Sequence, residues 1–129
     1  MTGGGAGLAL RPARPGDLPQ LEAWCHQLRP GERPPFIAAT LAEMAEHPGR
    51  GTLLIVEDAG AERGFVVIAG LWSNRLRGEV AVIDDWLVDP GLDDDLLLFE
   101  AARHARAQGA RAVLVRGPDG ALAPAADAP

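Results

Sequence analysis

The run Val80-Ala81-Val82-Ile83-Asp84-Asp85-Trp86-Leu87-Val88-Asp89-Pro90-Gly91, followed by Asp93–Gln108 and then by Ala112-Val113-Leu114-Val115, decides the fold. Its first part is apolar and β-branched and stops at Asp-Pro-Gly, which predicts a strand over Val80–Val88 closed by a turn. In the second part Leu96, Leu97, Phe99, Ala102 and His104 or Ala105 recur at helical spacing, Asp93–Asp95 stand at the start, and Gly109 is placed to cap the end. The third part reads as a short buried strand. A strand, a helix and a strand at these separations predict a right-handed β-α-β crossover, with Val80–Val88 and Ala112–Val115 side by side and parallel.

Upstream, Thr52–Glu57 and Phe65–Ser73 are two further apolar, β-branched runs. Asp58–Gly64 and Asn74–Gly78 are the loops between them, so an antiparallel meander Thr52–Glu57, Phe65–Ser73, Val80–Val88 is the economical solution. Before the meander, Leu18, Leu21, Trp24, Cys25 and Leu28 predict a helix over Asp17–Leu28. Ile37, Leu41, Met44 and Ala45 predict a second from about Phe36 to Glu46, and the Arg29–Pro35 segment separates the two. Leu8, Leu10 and Pro12 alternate like a short first strand. The expected organisation is a Gly-rich flexible leader over residues 1–7, one α/β domain over 8–116, and an Ala/Pro/Gly-rich tail over 117–129.

Composition narrows the chemistry. The chain has 129 residues, with 12 basic against 18 acidic side chains, for a net charge of −6. That balance disfavours phosphate backbones and anionic membrane surfaces as partners. No apolar run approaches the roughly 20 residues that span a bilayer, and no basic-apolar leader is visible, so a soluble cytoplasmic protein is expected. Cys25 is the only cysteine, which excludes an intramolecular disulfide and a Cys-rich metal site. Every Lys-or-Arg position is Arg and there is no Tyr, so neither a Schiff-base lysine, a P-loop lysine nor a tyrosine acid is available. His26, His47 and His104 show no metal-ligand spacing, and no metal is expected.

The order β-α-α-β-β-β-α-β resembles the GNAT superfamily of N-acetyltransferases. Leu10-Arg11-Pro12-Ala13-Arg14-Pro15-Gly16-Asp17-Leu18 is similar to the opening of many members, and Gly64-Phe65-Val66-Val67 to the start of their third strand. Ile83–Pro90 resembles their fourth strand with its terminal V-x-P, and Ala101–Ala112 the helix leading to their fifth. The resemblance implies a mixed sheet, mostly antiparallel, whose fourth and fifth strands are parallel and splayed. It also implies transfer of acetyl from acetyl-CoA to a small-molecule or peptide amine. On that pattern the backbone of Leu87 and Val88, with Gly91, would hold the cofactor, and Asp84 or Asp85 would deprotonate the amine. A non-catalytic relic of the same fold, acting as an interaction or regulatory module, is the alternative.

The departures fall on the chemistry. The family's R/Q-x-x-G-x-G/A loop cradles the pyrophosphate on backbone N–H groups at a helix N-terminus. The corresponding residues here are Asp89-Pro90-Gly91-Leu92-Asp93-Asp94-Asp95, which lack the basic residue and set three carboxylates at the helix start. Such acids also cap a helix and complement its dipole, in which case the anion site is closed by the chain itself. Strict alternation along the fourth strand groups Asp84 with Val80, Val82, Trp86 and Val88, and Asp85 with Ala81, Ile83 and Leu87. A carboxylate buried among those apolar neighbours has its pKa raised, as a base requires, although an arginine partner is the simpler reading. Trp86 and Trp72 are candidates for an acceptor pocket or for the core. Finally, the family's C-terminal hairpin is missing from the pattern, and Pro118 and Pro124 are poor strand material. Ala112–Val115 is therefore expected to be a bare edge, satisfied by a second copy in a homodimer or by the tail folding back.

Overall fold

A computed structural model describes residues 8–28 and 37–125 of the chain. The elements are β1 (Ala9–Pro12), α1 (Leu18–Leu28), α2 (Ile37–Glu46), β2 (Gly51–Asp58), β3 (Ala61–Ser73), β4 (Gly78–Val88), α3 (Asp94–Ala107), β5 (Ala112–Arg116) and β6 (Leu122–Pro124). Six strands form one sheet in chain order. Every neighbouring pair is antiparallel except β4 and β5, which run parallel, with Val80 opposite Ala112 and Ile83 opposite Val115. The crossover and the mixed sheet expected from the sequence are present. The leader, Phe36 and the Arg29–Pro35 break lie outside the described residues.

The sheet separates two apolar layers. On one face Leu21, Trp24 and Cys25 of α1 and Ile37 and Leu41 of α2 pack on Leu53, Ile55, Phe65, Val67 and Leu87. On the other, Leu97, Ala101, Ala102 and Ala105 of α3 cover Leu54, Val56, Val66, Ile68, Ala81 and Ile83. Consecutive residues of β2 thus feed opposite layers, which is why the run Leu53–Val56 is apolar throughout rather than alternating. Of the expected α3 stripe Leu97, Ala102 and Ala105 are buried, joined by Ala101, whereas Leu96 is 39% exposed. Small alanines are selected because α3 lies close over the sheet. On α2, Ala45 is exposed rather than packed.

The β2–β3 loop is shorter than the composition suggested. Asp58 pairs with Ala61, so the β2–β3 turn is Ala59-Gly60 alone, with φ 52° and 83° at those two residues, the signs a twisted two-residue hairpin needs. Ala61–Gly64 therefore belongs to β3. Gly64 is required by close approach: a Cβ there would lie 2.0 Å from the Leu87 carbonyl oxygen. The C-terminal segment also departs from the expected pattern. Leu122–Pro124 supplies the sixth strand that the prolines spoke against, pairing with Leu114–Arg116, and Ala125 N–H adds a 2.9 Å bond to Val113 O. Pro124 is tolerated because β6 is the last strand, where a missing donor leaves no ladder bond unmade. β5 and β6 thus form a hairpin, and the β5 edge expected to be bare is covered by the chain's own tail. No helix among the described residues is long and apolar enough to cross a membrane.

Candidate functional site

β4 is the strand on which the candidate residues converge, and it is irregular. Val67 pairs with Asp85 while Ile68 pairs with Ile83, so Asp84 is an extra residue, a bulge. The bulge overturns the strict alternation. Ala81 and Ile83 share the α3 face with Trp86 and Val88, and Leu87 is buried in the opposite layer. Nothing in the local sequence announces a bulge except the polar pair Asp84-Asp85 in an apolar run. Pairing with β5 also stops at Ile83↔Val115, one residue before β5 ends. The cleft that the resemblance places at this end of β4 would be flanked by Asp84–Val88, by Arg116 and by the turn leading into α3.

Asp84 is not buried. Its carboxylate accepts a 2.6 Å bond from Arg116 Nε, the two side chains being 41% and 42% exposed. Arg116 Nη1 also donates to Gly120 O at 3.0 Å, so one guanidinium ties β4, β5 and the β5–β6 turn together at the mouth of the cleft. The expectation of a carboxylate buried among apolar neighbours is thus corrected; the arginine partner is what the structure contains. Asp85 accepts the N–H of Trp86 at 3.0 Å, which occupies a backbone donor of β4 with a side chain from the same strand. Trp86 is half-buried against the α3 layer. Trp72 is 73% exposed near the far end of the β3–β4 hairpin, paired with Glu79, and is not brought to the cleft.

Leu87 and Val88 sit opposite Phe65 and Gly64 of β3, and the turn beyond them is closed on itself: Asp89 N–H donates to Arg63 O and Leu92 N–H to Asp89 O, both at 2.9 Å. Gly91 is exposed on this turn, and a Cβ on it would lie 3.6 Å from Arg63 Nη2. Arg63, which lies outside the motifs of the sequence, bonds Asp89 at 2.8 Å and approaches Asp58 at 3.9 Å. At the start of α3, Asp93 is the N-cap, its Oδ1 accepting from Asp95 N–H at 2.9 Å, and Asp94 and Asp95 fill the first turn. Asp84, Asp85, Asp89 and Asp93–Asp95 place six carboxylates around this end of the sheet, and both arginines beside them are already paired. An acetyl-CoA pyrophosphate needs free N–H donors and positive charge at this helix end. The residues present do not fit it.

A second constellation ties the N-terminal segment to the meander. Arg11 grips Asp17 through two 3.0 Å bonds and Glu62 at 2.6 Å, and Arg14 N–H donates to Asp17 at 2.7 Å. The Arg11 hydrogen bonds hold the Asp17 carboxyl below the usual carboxylate range, against a smaller opposing effect of burial. These residues belong to the opening motif and serve the fold. Among the described residues there is no cluster of His, Cys, Asp and Glu that could hold a metal ion.

No family model matches the chain, and no curated protein matches its sequence significantly. Solved structures match its shape. An integron cassette protein from the mobile metagenome of Cole Harbour Salt Marsh superposes with a TM-score of 0.69 at 19% identity, covering 84% of this chain and 76% of that one. A GNAT family acetyltransferase from Staphylococcus aureus gives 0.65 at 13% identity, over 93% and 95% of the two chains. A GNAT family acetyltransferase from Brucella melitensis, solved in complex with acetyl-CoA, gives 0.58 at 16% identity, over 85% and 75%.

Proposed function

We propose that this chain, which has the fold of the GNAT acetyltransferases, uses it as a binding or regulatory module and not as an acetyl-CoA-dependent enzyme. The observation that carries the reading is the start of α3, where Asp93 consumes the Asp95 N–H and three carboxylates crowd the position of the pyrophosphate. Anion binding at a helix end depends on unpaired donors and the positive end of the dipole. Here one of those donors, the Asp95 N–H, is taken up, and the acids of the first turn oppose the second. Closure of the cleft mouth by Arg116, Asp84 and Gly120 supports the same conclusion.

The end of β4–β5 pairing at Ile83, in a fold shared with acetyltransferases, favours a second reading, acetyl transfer from acetyl-CoA to a small-molecule or peptide amine. On that reading Asp84 or Asp85 is the base, and Leu87, Val88 and Gly91 are the cofactor contacts. Calorimetric titration with acetyl-CoA, joined to a thermal-shift measurement at millimolar cofactor, decides between them. No heat and no shift are expected. Saturable binding overturns the module reading and restores the enzyme.

A further inference from the structure

On the α3 face of the sheet, at the end remote from the acidic helix start, lies a cavity of about 440 Å³. It opens between the C-terminal end of α3 and the ends of β2, β3 and β4. His104 lies ten residues beyond Asp94, roughly 15 Å along the helix axis. Its walls are mostly apolar, with Leu54, Ile68 and Ala81 from the sheet and Ala105 from α3, and Thr52, Glu79, His104 and Gln108 are the polar side chains of the lining. The alanines explain the void, since larger side chains at those points would fill it.

The two ionisable groups decide what the cavity suits. The Glu79 carboxylate has no partner among the described residues, and its Oε2 lies 3.7 Å from a Cβ placed on Gly70, over one wall. His104 is half-buried and likewise without a partner among them. No arginine contributes to the lining. A mostly apolar chamber with a carboxylate at its rim recognises a hydrocarbon bearing a cation: the walls take the hydrocarbon, the carboxylate takes the charge, and His104 offers a further hydrogen-bonding group. A carboxylate ligand would meet Glu79 with no arginine in the lining to offset the repulsion. We propose that this cavity is a binding site for a small hydrocarbon ammonium compound, separate from the β4–β5 cleft and independent of acetyl-CoA.

Titration of the full-length protein with cyclohexylammonium chloride, followed by amide shifts in ¹H–¹⁵N spectra, tests it. Saturable shifts are expected at Gly70, Glu79, Ala81 and Ala105, with cyclohexylammonium binding at least about tenfold tighter than cyclohexanecarboxylate. Glu79→Gln, an exposed position whose change leaves the core intact, is expected to weaken the amine roughly fivefold, the size of one partly exposed ion pair. Ala110→Leu, which fills part of the cavity, weakens both probes. Equal affinity for amine and carboxylate, an unchanged amine affinity in Glu79→Gln, shifts confined to Asp93–Asp95, or no saturation at tens of millimolar probe overturns the proposal. These readouts do not depend on whether acetyl-CoA binds.

Discussion

If the acids at the start of α3 are what keep a pyrophosphate away, removing them must open the site by a calculable amount. Replacing Asp93, Asp94 and Asp95 together by Asn removes three charges while leaving an Asn at the N-cap, which still accepts the residue 95 N–H. All three side chains are exposed, so screening keeps each repulsion with a nearby phosphate to about 0.5 kcal/mol. Together they oppose binding by about 1.5 kcal/mol, and the triple variant is expected to bind inorganic pyrophosphate about tenfold more tightly. Using Asp93→Gly in place of the Asn at the N-cap frees the N–H as a donor and adds a further factor of about five, one net hydrogen bond. Loss of the dipole-complementing charges destabilises the fold by about 1 kcal/mol, seen as a lower urea midpoint at unchanged slope. Isothermal titration at low salt reads the affinities, and raising the salt is expected to shrink the charge effect but not the effect of the freed donor. Equal pyrophosphate affinity in the original protein and both variants refutes the reasoning, because neither the charges nor the capped donor would then be the barrier.

Gly64→Ala drives a Cβ to 2.0 Å from Leu87 O and 2.7 Å from Val88 Cα, backbone that cannot swing aside; a loss of about 3 kcal/mol in urea-measured stability is expected. Asp17→Asn removes a half-buried carboxylate that Arg11 holds below its ordinary pKa, so it is expected to destabilise by about 1–2 kcal/mol at pH 7. Because the native pKa lies below the unfolded value near 3.9, that contribution is complete above about pH 5 and vanishes as pH falls through the native value. The stability gap between the two proteins should therefore close in acid, and a gap constant from pH 7 to pH 2 contradicts the assignment. Truncation after Arg116 strips β6 from β5 and exposes its edge, so the truncated protein is expected to self-associate in light scattering at concentrations where the full chain keeps a smaller mass.

The sequence by itself determined the order of elements, the two helices before the meander and the parallel crossover through α3, because these rest on local periodicity and on turn residues such as Pro90-Gly91 and Gly109. It also determined the acidic start of α3, since an N-cap is written in the residues that make it. Four things were decided only in the folded chain. The bulge at Asp84 depends on how many residues of β3 oppose β4, and neither strand records that count alone. The arginine that pairs with Asp84 stands 32 residues away, across the parallel strand. The sixth strand forms because β5 offers unpaired N–H and C=O groups, a demand that outweighs the weak strand propensity of a Pro-flanked segment. The cavity beside Glu79 and His104 exists because small side chains from β4 and α3 meet there, and a void has no sequence of its own: it is volume left where two elements approach and neither fills the gap.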